Sequence, residues 1–171
     1  MAGVFLAAGA AVGMGFVHLY RTDPFFRGSV VGSYELPEDQ IRPAFRRITD
    51  HDLPETVRNV RGIWFGGREP QIFVVFDTDP AGIAAIERMF AIPQAQVETL
   101  ERSRVDSLVA SGWTGFASPS VWQEKTGRLV FDPSAFGAGR MISYSTGGLE
   151  GWQVYIDDEH GTVYIYFWPY T

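Results

Sequence analysis

Three histidines, no cysteine and a few groups of neighbouring carboxylates set the limits on the chemistry open to this 171-residue chain. The densest group is Asp157-Asp158-Glu159-His160, whose carboxylates and imidazole are of the types that hold a divalent cation. Four consecutive residues point in diverging directions, however. Gly161 follows them and supplies the positive φ of a tight turn, so the stretch reads as a solvated hairpin tip. His51-Asp52 has the residue types of a proton relay, but no serine, cysteine or second acid stands beside it, and Thr49-Asp50-His51-Asp52 reads as turn and capping chemistry. Gly137 to Arg140, GAGR, has the composition of a backbone cradle for an anion. No helix clearly follows it, and the glycines read as loop residues. Trp113, Trp122, Trp152 and Trp168 are candidates to line a ligand cleft or a protein interface, with core packing the competing role for at least two of them.

Recognised catalytic patterns are absent: there is no G-x-S-x-G, no H-E-x-x-H, no phosphate-binding G-x-x-x-x-G-K-[ST] and no G-x-G-x-x-G after a strand. Without cysteine, disulfides, thiolate metal sites and a cysteine nucleophile are excluded. The net charge of −6 and pI near 5.0 argue against a nucleic-acid partner, since phosphate binding needs a concentrated basic face. These features lead us to expect a non-enzymatic chain with no cofactor and no metal.

The elements that must position these residues fall into three stretches. From residue 51 to 171 the pattern is that of a folded α+β domain. RGIWF and QIFVVFD, separated by GGREP, read as a hairpin, and the second strand is apolar on both faces, as a central strand should be. DTDPAGIAAIERMF reads as a helix with Asp79 as N-cap, Pro80 in the first turn and Ile83, Ile86 and Phe90 on one face. A second helix is expected from Pro93 to Gly112 on the spacing of Val97, Leu100, Leu108 and Val109. VWQEKTGRLVF reads as a short hairpin, and RMISYS, GWQVYID and TVYIYFW as three meandering strands. The fold expected is an antiparallel sheet of about five to seven strands packed against two helices on one face, the other face being left for something else. Residues 21–50 read as a connector containing a short amphipathic stretch, PEDQIRPAFRR, interrupted by Pro43.

The opening run, residues 1–20, carries no charged side chain. A helix over Ala2 to Tyr20 would be roughly 28 Å long, matching the roughly 30 Å apolar core of a bilayer. Tyr20, Arg21, Phe25 and Phe26 supply the aromatic and basic anchors of a membrane interface. A cleaved secretory signal is the competing reading, but the usual positively charged start is missing. Gly3, Ala7, Ala11 and Gly15 follow one another at i+4, and Gly9 and Gly13 form a separate G-x-x-x-G pair. Small residues let membrane helices approach closely, so the run reads as a single transmembrane helix built to pack against another. His18 lies within a turn of the interface, where it could reach water, a headgroup, a neighbouring helix or the metal of a haem or chlorin.

Residues 53–86, LPETVRNVRGIWFGGREPQIFVVFDTDPAGIAAI, resemble a segment of small uncharacterised bacterial envelope proteins, often lipoproteins, in which L-P-x-[ST]-x-x-N leads into a hairpin ending in Phe-Asp. Leu53, Pro54, Asn59, Phe76 and Asp77 are the matching residues here; Val57 stands where that segment has a small residue, and there is no lipobox cysteine. The resemblance implies a domain outside the cytoplasm, and with the apolar span the expected location is the bacterial inner membrane. The arginines after the span, Arg21 and Arg27, weigh mildly toward the cytoplasmic side. The function expected is that of a single-pass accessory subunit packing against integral membrane proteins of a larger respiratory or photosynthetic complex. The alternative is a membrane-anchored, extracytoplasmic module that binds a small ligand among its tryptophans.

Overall fold

The computed structural model describes residues 32–66, 71–110, 135–146 and 151–168. The expected membrane helix (Gly3, Ala7, Gly9, Ala11, Gly13, Gly15), its anchors Tyr20, Arg21, Phe25 and Phe26, His18, the hairpin at 121–131 and Trp113 and Trp122 lie outside the described residues. Among the described residues, no helix is long and apolar enough to cross a membrane.

A seven-stranded, wholly antiparallel sheet forms the frame. The expected hairpin is β2 (Arg58–Gly66) and β3 (Gln71–Asp77), and the expected meander is β5 (Gly139–Ser145), β6 (Gly151–Asp157) and β7 (Thr162–Trp168). Ile72 to Phe76 are buried on both faces, and β3 accordingly takes the middle of the sheet, paired with β2 on one side and β7 on the other. β1 (Gly32–Leu36) closes one edge against β2, and β4 (Gln96–Leu100) closes the other against β5, giving the order β1-β2-β3-β7-β6-β5-β4.

Residues 32–49, expected as part of a connector, are instead an edge strand and the helix α1 (Glu38–Thr49). Pro43 sits inside that helix, where a missing N–H and ring crowding cost about 3 kcal/mol. Its ring faces solvent, while Ile41, Ala44 and Phe45 are buried on the opposite side. At about 1.5–3 kcal/mol for each large apolar side chain, that burial offsets the proline and the helix runs through it. Glu38 and Asp39 at its start and Arg46 and Arg47 at its end complement the helix dipole, and Asp50 ends it in the left-handed conformation.

The helix α2 (Pro80–Phe90) forms as expected: the Asp79 carboxylate accepts from the Gly82 N–H at 2.8 Å, and Ile83, Ile86 and Phe90 are buried. The single helix expected from Pro93 to Gly112 is corrected to a strand and a shorter helix, β4 and α3 (Arg102–Ala110). Val97 and Leu100 are spaced three apart, which suits a helix, but the β-branched Val97 and Thr99 also suit an edge strand. Backbone pairing with β5, from Gln96 opposite Ser143 to Leu100 opposite Gly139, decides between them.

Side chains alternate across the sheet into two cores. On one face Leu36, Trp64, Ile72, Val74, Phe76, Ile142, Trp152, Val154, Ile156, Val163 and Ile165 pack with α1 and α2 residues. On the other, Ile63, Phe73, Val75, Tyr155 and Tyr164 pack with Leu100, with Val105 of α3 and with Phe136. The expectation that helices cover one face alone is therefore corrected: α3 lies on the second face, tied down where Arg102 Nη1 donates to the Phe136 carbonyl at 2.6 Å.

The residues of the envelope-protein resemblance come together in this frame. Leu53 and Phe76 are buried, and the Leu53 and Pro54 carbonyls accept from the Arg42 guanidinium. Asn59, at φ 52° where β2 shifts register, donates from Nδ2 to Asp77 Oδ2 at 2.8 Å, and the Thr162 hydroxyl donates to Asp77 Oδ1 at 2.9 Å. Asp77 thus fastens the irregular start of β2 to β3 and β7.

Candidate functional site

The carboxylate cluster does not form a metal site, and it is not wholly solvated. Asp157 is 1% exposed, while Asp158, Glu159 and His160 face water. Asp157 Oδ1 accepts from the backbone N–H of Glu159 at 3.1 Å and of His160 at 3.2 Å. Its Oδ2 accepts from the Gly137 N–H at 2.9 Å and meets His160 Nδ1 at 2.8 Å. The imidazole is held above its ordinary pKa, first by this hydrogen bond and then by the carboxylate charge. Three of the four contacts on the Asp157 carboxylate serve the turn and the fourth fastens Gly137 to it, so the group is a structural clasp. Gly161, at φ 68°, closes the hairpin as expected.

The same clasp accounts for the GAGR stretch. Gly137 donates to the chain's own carboxylate, and Asp158 N–H donates to the Ala138 carbonyl at 3.0 Å. Arg140 bridges Glu87 of α2 at 2.6 Å and Asp158 at 3.2 Å. At the end of α1, Asp52 pairs with Arg46 at 3.5 Å, and the Thr49 hydroxyl accepts from the His51 N–H, the capping arrangement read from the sequence. Among the described residues, no group of three or more histidines, aspartates or glutamates is placed to hold a metal ion.

The two described candidate tryptophans part company. Trp152 is a core residue, its ring 4.8 Å from Phe90 and 6.0 Å from Tyr144 between centroids. Trp168 lies on the opposite face. Its indole runs across Gly151, where any Cβ would stand 2.6 Å from Cζ2, and its centroid is 4.9 Å from that of Tyr166. A side chain at 151 would displace the indole.

Trp168 borders a cavity of about 510 Å³ lined among the described residues by Gln94, Gln96, Ser143, Tyr144, Ser145, Thr146, Gln153 and Trp168. The strand register builds it. Gln96 stands opposite Ser143, Ser143 opposite Gln153, Gln153 opposite Tyr166 and Tyr166 opposite Phe73, one row crossing five strands. That row changes from amide and hydroxyl at its outer end to aromatic at its inner end. Tyr166 donates its hydroxyl to Gln71 Oε1 at 2.7 Å, and burial raises its pKa above the ordinary tyrosine value. Gln153 Oε1, by contrast, is buried and accepts no hydrogen bond. No described lining residue is charged.

Sequence reading singled out Trp168 but missed Gln153, Gln96 and Ser143. Their signal was present in the alternation: Gln153 is the one amide in GWQVYID, and Ser143 falls at the matching position of RMISYS. Compared with protein-family models, with curated proteins and with solved structures, the chain finds no match.

Proposed function

We propose that the chain is a non-catalytic, membrane-anchored binding module that presents its α+β domain on the extracytoplasmic side of a bacterial inner membrane and takes up a small uncharged ligand. The observation that carries this reading is the cavity beside Trp168, bordered by amide and hydroxyl residues with no charged described lining. Such a site orients a ligand by a few polar groups and an aromatic wall, which is how small-molecule sites are generally built. Asp157, His160 and Asp52, whose types suggested reactivity, are engaged in a turn and a cap, which supports binding over catalysis.

The test is tryptophan fluorescence of the full-length chain in nanodiscs against lipids, saccharides and pigments. A saturable change that Trp168→Phe abolishes supports the reading. A flat response to every class overturns it.

A second reading, an accessory subunit packed against integral membrane proteins of a respiratory or photosynthetic complex, is favoured by the small residues Gly3, Ala7, Gly9, Ala11, Gly13 and Gly15 of the opening run. Replacing Gly9, Gly13 and Gly15 with leucine should then release a co-purifying partner in mild detergent. Unchanged co-purification would count against it.

A further inference from the structure

We infer that the end of the sheet bearing Trp168 rests on the headgroup layer of the bilayer that holds the opening run, with the carboxylate-rich end turned away, an inference that rests on the membrane-anchored reading above. The antiparallel register gathers the starts of β1, β3, β4 and β6 and the ends of β2, β5 and β7 at one end of the sheet. Gly32 stands there opposite Gly66, Phe65 opposite Gln71, Ile72 opposite Phe167, and Gly151 opposite both Trp168 and Ser145. The two outermost residues of every strand at this end are uncharged. Tyr144, Phe167 and Trp168 among them are half-buried, and tyrosine and tryptophan are the side chains that collect at a membrane–water interface. The opposite end has the reverse character. Asp77 and Asp157 flank Thr162 there, with Asp79, Glu101, Asp158 and Glu159 in the adjoining turns, and Arg58, Arg102 and Arg140 offset part of that charge.

Three observations say which end meets lipid. β1 begins at the uncharged end, so the chain that follows the charge-free residues 1–20 enters the sheet there, at Gly32. Among the described residues, the large apolar side chains that stand exposed are Ile92, at 36%, and Val97, at 67%. Both belong to this end: Ile92 lies between α2 and β4, and Val97 is the second residue of β4. From residue 88 to residue 97 the one charged side chain is Arg88, exposed in the last turn of α2. A lipid surface matches all three, since apolar side chains enter the interface while an arginine reaches the lipid phosphates. A strand such as Gln71–Asp77 holds its two ends about 20 Å apart. That exceeds the screening length of about 8 Å, so the carboxylates stand clear of the repulsion of an anionic bilayer. The reverse orientation would press them against it.

The chain has no cysteine, so a bimane label on Ala91→Cys, Glu101→Cys or Glu159→Cys reports from a single site. All three positions are exposed, the first at the uncharged end and the others at the opposite one. Each full-length labelled chain is reconstituted in vesicles of phosphatidylcholine and phosphatidylglycerol carrying a headgroup nitroxide, and flotation of the vesicles is measured in parallel. The expected result is quenching at Ala91→Cys at least about threefold stronger than at the other two sites, lowered about threefold by Ile92→Asp with Val97→Asp, while the chain still floats with the vesicles. Equal quenching at the three sites, or the strongest at Glu101→Cys or Glu159→Cys, overturns the orientation, and continued flotation then leaves the anchored reading standing. Shielding of the Ala91→Cys label from aqueous iodide without nitroxide quenching would mean that protein covers this end, and it too overturns the inference. If the chain does not float with the vesicles, both readings fall. The comparison of the three labels decides without the aspartate variants, even if those misfold.

Discussion

Replacing the buried carboxylate of Asp157 by an amide should loosen the β6–β7 turn and the 136–138 segment together, and the cost follows from the four contacts. The N–H groups of Glu159 and His160 belong to exposed residues, and water can replace their acceptor. The Gly137 N–H cannot be served that way, because its hydrogen bond is buried. In Asp157→Asn the amide oxygen can keep the two turn contacts, but its NH₂ then faces the Gly137 donor. That loses one charge-assisted hydrogen bond and leaves a buried donor unsatisfied, about 2–3 kcal/mol. Asp157→Ala also abandons the turn contacts, and about 3–5 kcal/mol is expected. For a chain of this size each kcal/mol lowers Tm by roughly 2–4 °C, so the asparagine variant should melt roughly 4–12 °C lower. Urea unfolding at pH 7, followed by far-UV circular dichroism, measures the difference directly. An Asp157→Asn variant within about 0.5 kcal/mol of the parent would show that the carboxylate does not organise the turn, and the structural assignment of Asp157 would be wrong.

Three further outcomes are expected. Because His160 has a folded-state pKa above its ordinary value of 6.5, its contribution is fully present below pH 6.5 and is lost as the pH rises through the raised value. Stability should therefore fall over that window in the native chain and stay level there in His160→Ala, measured by urea midpoints at closely spaced pH values. Ile86, fully buried between α2 and the sheet, should cost about 2–5 kcal/mol as alanine, read from the same unfolding curves. Asn59→Ala should lose about 1–3 kcal/mol, since it removes the hydrogen bond to Asp77 and leaves a β-carbon in the left-handed region; Asn59→Gly should lose less, keeping only the hydrogen-bond deficit. Equal losses for the two variants would show that the backbone conformation at Asn59 carries no cost.

What the sequence disclosed was whatever local pattern could decide. QIFVVFD cannot be an edge strand without exposing five apolar residues in a row, so its central place was legible. Asp79-Pro80 marks the start of α2 by capping chemistry alone, and β5 to β7 are separated by clear turn signals. The errors arose where a distant partner decides. Gln96–Leu100 is a strand because β5 lies alongside it, and GSYEL is one because β2 does. Pro43 was read as a break because the burial of Ile41, Ala44 and Phe45 that outweighs it is a tertiary quantity. The same holds for the site. Trp168 was visible as a large aromatic, but the row from Gln96 to Phe73 exists only once five strands are in register. Asp157 looked like any acid in a turn, because its second function, receiving Gly137 from 20 positions earlier, leaves no local mark.

The strand order divides the sheet into a half made of β1, β2 and β3 and a half made of β4, β5, β6 and β7, and the seam between them is the β3–β7 pairing. On a ribosome the first half emerges complete while the partner of β3 is still unsynthesised, its backbone groups bare along Ile72 to Phe76. Neither half is sealed until β7, last of the seven strands to be made, slots in between β3 and β6. Nascent chains halted before Thr162 should therefore be sticky, protease-sensitive and dependent on chaperones, and release of the final strand should convert them abruptly to a closed form.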